Sequence, residues 1–273
     1  MKFADLHIHT DFSDGTFSCE QVVHEARQVG LSCISITDHD SVEALDSAIT
    51  FAADNLEIIP GVELSAECGD QEIHVLGYLI DYKDSRFLEM LQSMCRVRVQ
   101  RIYDICAKLK QQGIEVDPED VFSLAGKGSV GRLHVARAMC EKGAVSCIPQ
   151  AFYDYIGDKG SAYVGKLKMS VAEAIALIRG IKGIPVLAHP HIIRDQSRIL
   201  EFIKDGIMGL EVFYPEYSAS QIQRYSEIAQ EHHLLITGGS DCHGTARQES
   251  CLGKIKLAYE YVEKLKEAKC ALM

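Results

Sequence analysis

The first fifteen residues contain side chains that can bind a metal ion. Lys2–His9 has the apolar alternation of a short strand, and His7 and His9 lie two residues apart within it. Side chains two apart on an extended chain point to the same side, so these imidazoles can bind one ion together. Asp14, followed by Gly15 in a turn, can bring a carboxylate back to that ion. The alternative is an exposed strand end that carries two histidines by chance.

Residues of the same types recur at later predicted strands. Asp38–Asp40, His189–His191 and Asp241–His243 each follow an apolar strand pattern, Glu63 ends another, and His74 lies within a fifth. With His7 and His9 included, six of the 11 histidines are candidate ligands at predicted strands. The candidate metal ligands are His7, His9, Asp14, His39, Glu63, His74, His189, Asp241 and His243.

Taken singly, several of these candidates have simpler explanations. Asp38–Asp40 suits a polar turn that caps the next helix, Glu63 suits a solvated strand end, and His74 suits a hydrogen-bonded core histidine. Cys242 lies between two candidates, but on an extended segment its side chain points away from theirs, which predicts a packing role. The convergence of so many candidates at strand ends nevertheless favours a site for several metal ions.

The elements that must position these residues alternate between predicted strands and helices. Ser18 and Ser170 each begin a helix with a capping box, and Ser41 is expected to cap a helix that ends near Ala53. Repeated strand–helix units predict a parallel sheet with helices outside it. About seven strands without a Gly-x-Gly-x-x-Gly turn favour an α/β barrel, whose strand ends open on one face.

The pattern becomes helical in the middle of the chain. A long helix is predicted from Asp84 to about Gln112, shorter helices follow it, and strand patterns are nearly absent. The predicted organisation is a barrel formed by residues 1–83 and 166–273, with a helical insert of residues 84–165 that covers the active-site mouth.

Composition and charge argue against several classes of protein. The chain has no run of about eighteen apolar residues and enters a strand at once, so neither a membrane span nor a signal peptide is expected, and the cytoplasm is the expected location. A net charge of −11 disfavours a protein that coats duplex DNA. The 10 cysteines form no Cys-x-x-Cys pair, which favours reduced, mostly buried thiols.

Taken together, these motifs resemble those of the polymerase and histidinol phosphatase (PHP) family. The matching segments occur in order, and from the first to the last they span most of the chain. They are Asp5–Thr10, Ser13–Gly15, Thr37–Asp40, Gly61–Glu63, His74, His189–Pro190 and Ser240–Gly244. The resemblance implies a distorted (β/α)7 barrel of the PHP type and a trinuclear metal centre.

The resemblance also implies which residues hold each ion. The first would be held by His7, His9, Glu63 and Asp241, the second by Glu63, His74 and His189, and the third by Asp14, His39 and His243. A nitrogen and oxygen ligand set without thiolate suits Mn²⁺, Fe²⁺ or Zn²⁺, of which we expect Mn²⁺. With neutral histidines, three divalent ions and three carboxylates leave a charge of about +3, which attracts phosphate.

Part of the insert points to the substrate. Gly128–Arg137 resembles the insert of the branch that contains 3′,5′-nucleoside bisphosphate phosphatases and a 5′→3′ exoribonuclease of short RNAs. The resemblance implies that Arg132 and His134 hold a substrate phosphate, and the alternative for both is a solvated helix start. A guanidinium beside free helix N–H groups does suit an anion. The expected substrate is therefore a small phosphorylated nucleotide or a short oligoribonucleotide.

The expected reaction is hydrolysis of a phosphate ester by water whose pKa the ions lower. Asp38 and His191 are the candidates for moving a proton to or from the water or leaving group, although each could instead orient a ligand histidine. Two rival functions remain. The segment Ser129–Ala136 disfavours a histidinol-phosphate phosphatase, and the complete ligand set disfavours a non-catalytic module that supports a partner protein.

Overall fold

The structure, a computed structural model, describes residues 1–165, 169–246 and 251–272. The strands in these residues are β1 (Phe3–Ile8), β2 (Cys33–Ile36), β3 (Glu57–Cys68), β4 (Gln71–Tyr78), β5 (Ile184–Leu187), β6 (Gly209–Phe213), β7 (Leu235–Gly238) and β8 (Leu257–Ala258). The helices are α1 (Cys19–Gln28), α2 (Leu45–Ala52), α3 (Ser85–Gln111), α4 (Pro118–Ala125), α5 (Arg132–Glu141), α6 (Ile148–Ala151), α7 (Val171–Gly180), α8 (Arg198–Asp205), α9 (Ala219–Glu231) and α10 (Glu260–Ala271). A π-helical turn, Phe152–Ile156, extends α6.

One sheet, in the order β7-β6-β5-β4-β3-β2-β1-β8, forms a nearly closed barrel. It closes where a parallel bridge joins Ile8 to Cys242 beyond the end of β7. Gly239 is required there, because a Cβ at this position would lie 2.4 Å from the backbone nitrogen of His7. The predicted α/β barrel is confirmed, and the short strand β8, antiparallel to β1, gives it eight strands.

The sheet is not entirely parallel, in contrast to the prediction from the sequence. β4 runs antiparallel to both β3 and β5. Only Gly69 and Asp70 separate β3 from β4, and Gly69 has a φ of +65°. A connection of two residues holds no crossover helix, so the two strands must form a hairpin. Consequently His74 enters the site from the middle of a strand.

Side-chain caps explain the starts of five of the ten described helices. Ser18 and Ser170 form the predicted capping boxes of α1 and α7. The predicted cap at Ser41 is wrong, because α2 begins at Leu45 without a side-chain cap. The chain before α2 still runs beside β3, where His39 forms a bridge with Glu63.

Helices α3–α6 bury an apolar cluster of their own, separate from the clusters around the barrel. Ile105 and Leu109 of α3, Val121 of α4 and Met139 of α5 all belong to it. The predicted end of the insert borders residues 166–168, which lie outside the described residues. None of the described helices is long and apolar enough to span a bilayer.

Candidate metal centre

All nine predicted ligands meet at one end of the barrel, around the carboxylate of Glu63. Its Oε1 lies 3.4 Å from His7 Nε2, 3.0 Å from His74 Nδ1 and 3.1 Å from His189 Nε2. Its Oε2 lies 3.3 Å from His9 Nε2 and 2.9 Å from His39 Nδ1. A carboxylate that faces five imidazoles has the geometry to bridge metal ions.

Asp14 and Asp241 extend the cluster on either side. Asp241 Oδ1 lies 3.1 Å from His9 Nε2, and Asp14 Oδ1 lies 3.2 Å from His243 Nε2. Seven of the nine residues, all except His189 and Asp241, form three groups in which the ligand atoms, one from each residue, lie within 4.8 Å of one another. The groups are His7–His9–Glu63, His39–Glu63–His74 and His9–Asp14–His39–His243.

The chemistry of these atoms fits divalent cations. Nε2 of His7, His9 and His243, Nδ1 of His39 and Oδ1 of Asp14 are buried and make no hydrogen bond within the described part of the chain. A buried polar atom without a partner costs about 1–3 kcal/mol, and coordination to an ion removes that cost. The carboxylates also favour a positive charge at this site. Burial lowers the pKa of His9, but the nearby Asp241 and Glu63 outweigh that effect and raise it to about 10.

Backbone strain is concentrated at this site. Asp40, His189 and Asp241 have positive φ values of 50°, 26° and 49°. Such conformations cost about 1–3 kcal/mol each in a residue other than glycine and persist only when surrounding contacts impose them. Here the His189 backbone N–H donates to Glu211 Oε2 at 2.7 Å, and Tyr214 donates to Asp241 Oδ2 at 2.8 Å.

Asp38 holds the loop that carries Asp14. Its carboxylate is fully buried and accepts hydrogen bonds from the backbone N–H of Thr10 at 2.7 Å and from Ser13 Oγ at 2.5 Å. The loop turns tightly, since a Cβ at Gly15 would lie 2.6 Å from the carbonyl oxygen of His9. This arrangement gives Asp38 the contacts of a positioning residue.

His191 lies at the rim of the centre. It lines a cavity of about 240 Å³ together with His39, His74, His189 and Asp241. Its Nδ1 is 3.3 Å from the hydroxyl of Tyr217, which orients the ring. The half-buried imidazole is thus placed to exchange protons with a molecule bound in this cavity.

The two predicted substrate-binding residues differ in their surroundings. The guanidinium of Arg132 forms ion pairs with Glu72 at 3.1 Å and Asp158 at 3.0 Å. His134 is buried, and its Nδ1 accepts a hydrogen bond from the backbone N–H of Gly131 at 3.1 Å. Burial lowers the pKa of His134 to about 4, so the ring is neutral and its Nε2–H is a donor.

The sequence interpretation missed two carboxylates that contact candidate ligand histidines. Glu211 Oε1 lies 2.9 Å from His7 Nδ1, and Glu72 Oε1 lies 2.9 Å from His74 Nε2. Carboxylates in this position fix the tautomer and direction of a metal-binding imidazole. Two features of the sequence could have indicated them. Glu211 is a charged residue inside the apolar run of β6, and Glu72 lies two residues before His74, on the same face of β4. Cys242, by contrast, packs in an apolar cluster with Ile8, as predicted.

Replacing Glu211 by Gln is expected to weaken metal binding about 10- to 100-fold. The variant keeps the shape of the side chain but leaves only one oxygen for two donors, the ring of His7 and the backbone of His189. Calorimetric titration of the chelator-treated protein with Mn²⁺ measures the effect, with the exposed Glu227→Gln as control. Equal affinities in the two variants would show that Glu211 does not orient a ligand.

Comparison with known proteins agrees with the geometry. The family model "PHP domain" matches residues 5–146. The 5′-3′ exoribonuclease Rnm of Escherichia coli (strain K12) is 32% identical over 247 residues, covering 88% of this chain and 84% of that protein. The 3′,5′-nucleoside bisphosphate phosphatase of Chromobacterium violaceum is 29% identical over 251 residues, covering 89% and 88%.

A solved structure shows the same fold along nearly the whole chain. It is described as a metal-dependent phosphoesterase from Bifidobacterium adolescentis and superposes with a TM-score of 0.88 at 30% identity, covering 97% of this chain and 95% of that one. The family model covers more than half of the sequence, and the relatives align over most of their own length. This chain therefore belongs to the PHP family.

Proposed function

We propose that this protein is a metal-dependent phosphoesterase that hydrolyses small nucleotides. The preferred reaction is removal of the 3′-phosphate from a nucleoside 3′,5′-bisphosphate, 5′→3′ trimming of short RNA, or both. The convergence of His, Asp and Glu side chains around Glu63 carries this proposal. Two relatives bear the names of these activities.

The proposed cofactors are three divalent ions, with Mn²⁺ as the preferred metal. Support comes from the three groups of ligand atoms, which share His9, His39 and Glu63 and so form one continuous cluster. The proposed ligands are the nine residues predicted from the sequence. Donors that are only nitrogen and oxygen suit Mn²⁺, Fe²⁺ and Zn²⁺.

When bound, such ions lower the pKa of a water nucleophile and neutralise charge on the phosphate oxygens. In our proposal His191 exchanges a proton with the leaving group, since it faces the cavity and is held by Tyr217. Asp38 positions Asp14 through the loop of Thr10 and Ser13 and does not itself transfer a proton.

Arg132 and His134 are proposed to hold a substrate phosphate. The neutral His134 offers one N–H donor. Arg132 offers its guanidinium once the phosphate replaces Asp158, a partly exposed carboxylate, as its partner. A bidentate pair with phosphate is stronger than a pair with one oxygen of a partly solvated carboxylate.

The insert is proposed to complete the active site as well as to cover its mouth. It provides Arg132 and His134, and its Ser129 N–H donates to the carbonyl of Phe12 in the loop before Asp14, at 2.9 Å. It also holds Asp40 through Arg98. The proposed division is a barrel of residues 1–83 and 166–273 with an insert of residues 84–165.

A substrate panel tests the proposed function. We expect chelator-treated protein, after addition of Mn²⁺, to release phosphate from adenosine 3′,5′-bisphosphate or mononucleotides from a 5′-phosphorylated oligoribonucleotide. The same protein without metal should be inactive. Preference for histidinol phosphate would favour the phosphatase rival. No turnover of any substrate by the metal-loaded protein would favour a partner-binding module.

A further inference from the structure

A larger cleft, of about 680 Å³, opens beside the cavity of the metal centre. The two spaces are adjacent, because His74 and Ile192 line both of them. The wall of the cleft on the insert side includes Arg132 and the turn that contains Tyr153. The cleft therefore lies beside the place that a substrate phosphate would occupy at the proposed metal centre.

Tyr153 is unusual for an aromatic residue because its side chain is 86% exposed. Among the described residues, the next most exposed large aromatic side chain is Tyr103, at 44%. An aromatic ring that packs against nothing contributes little to the stability of the fold. An exposed ring beside a binding cleft is instead typical of a surface that binds a flat apolar ligand.

The backbone of Tyr153 is held in place by the residues around it. It lies in the π-helical turn Phe152–Ile156, closed by a hydrogen bond from Gly157 N–H to the carbonyl of Phe152 at 2.9 Å. Arg132 secures both ends of the turn: its guanidinium lies 5.7 Å from the ring centre of Phe152, and its Nη1 donates to the carbonyl of Ile156 at 3.3 Å. Turns of this type are frequent at functional sites.

We propose that Tyr153 is a stacking platform for the nucleobase of the substrate. The proposal rests on the nucleotide phosphoesterase activity proposed above, and it adds a binding site for the base of that nucleotide. With one phosphate at the metal ions and another at Arg132, the base lies on the insert side of the cleft, where Tyr153 offers the face of its ring. Every base has such a face, so purines and pyrimidines should both bind.

Binding without hydrolysis gives the first test. Calorimetry should show that wild-type protein binds adenosine 5′-monophosphate more tightly than ribose 5-phosphate, by roughly tenfold to a hundredfold. Tyr153→Ala should abolish that difference, whereas Tyr153→Phe should keep it. Equal affinity of the wild type for both ligands, binding of neither ligand, or an unchanged difference in Tyr153→Ala would overturn the proposal.

Kinetics give the second test. With adenosine 3′,5′-bisphosphate, Tyr153→Ala should raise KM by a similar factor and leave kcat nearly unchanged, while the base-free ribose analogue should show no change. Tyr103→Ala, an exposed aromatic of α3 outside the cleft, is the matched control. An equal rise of KM for both substrates would contradict stacking. If the wild type hydrolyses neither substrate, the proposed reaction fails, and calorimetry still decides the fate of the stacking platform.

Discussion

Replacing Glu63 by Gln is expected to lower turnover of the nucleotide substrate by roughly 1000-fold or more. A metal centre contributes several kcal/mol to such a reaction, and about 1.4 kcal/mol corresponds to a factor of ten in rate. Glu63 is the buried carboxylate nearest to five imidazoles, and two of the three groups of potential ligand atoms contain it. Gln has no charge and only one accepting oxygen, so it cannot bridge two ions.

The experiment needs a readout that separates lost metal from lost chemistry. Metal content should be measured by elemental analysis after dialysis, beside phosphate release, and we expect both to fall in Glu63→Gln. Circular dichroism checks that the variant is folded, and Glu267→Gln on the exposed face of α10 is the matched control. Wild-type activity with full metal content in Glu63→Gln would exclude the arrangement proposed for the centre.

Replacing Arg98 by Met is expected to destabilise the fold by about 3–5 kcal/mol. The side chains of Arg98 and Asp40 are 4% and 0% exposed, and Arg98 Nε donates to Asp40 Oδ2 at 2.6 Å. Two further donors of Arg98 bond the carbonyl of Val130 and the hydroxyl of Ser65. Removing the guanidinium takes away these hydrogen bonds and the positive charge that lies against a buried carboxylate, and losing one member of a buried ion pair is strongly destabilising.

Urea denaturation measures this effect as the free energy of unfolding. Arg96→Met, two residues away on the exposed side of α3, should change it by less than about 0.5 kcal/mol. Asp40→Asn tolerates the positive φ of this position, so the double variant gives a clean cycle. If the changes in unfolding free energy of the two single variants add up to that of the double variant, the two side chains do not stabilise each other. Because Asp40 follows His39, we also expect Arg98→Met to bind Mn²⁺ less tightly.

The sequence by itself was sufficient to predict the barrel and to select candidate ligands that the fold brings together. Residue type and position relative to a strand are local properties, and the eight other candidates chosen in this way lie around Glu63. Asp14, His39 and His243, which lie far apart in sequence, belong to one group of ligand atoms. Capping boxes are equally local, which is why the starts of α1 and α7 were predicted correctly.

Only the tertiary structure decided how these residues are supported. Glu211 contacts His7 across 204 residues of sequence, and Arg98 meets Asp40 across 58. No local pattern encodes such a pair, because an acid in a strand or an arginine on a helix has the same type and spacing whether or not it has a buried partner. The cap expected at Ser41 failed for a related reason, since the chain just before it bridges β3 at His39 and α2 begins only at Leu45. The sequence specifies the chemistry of each side chain, whereas its burial and its partners are determined only when distant segments pack together.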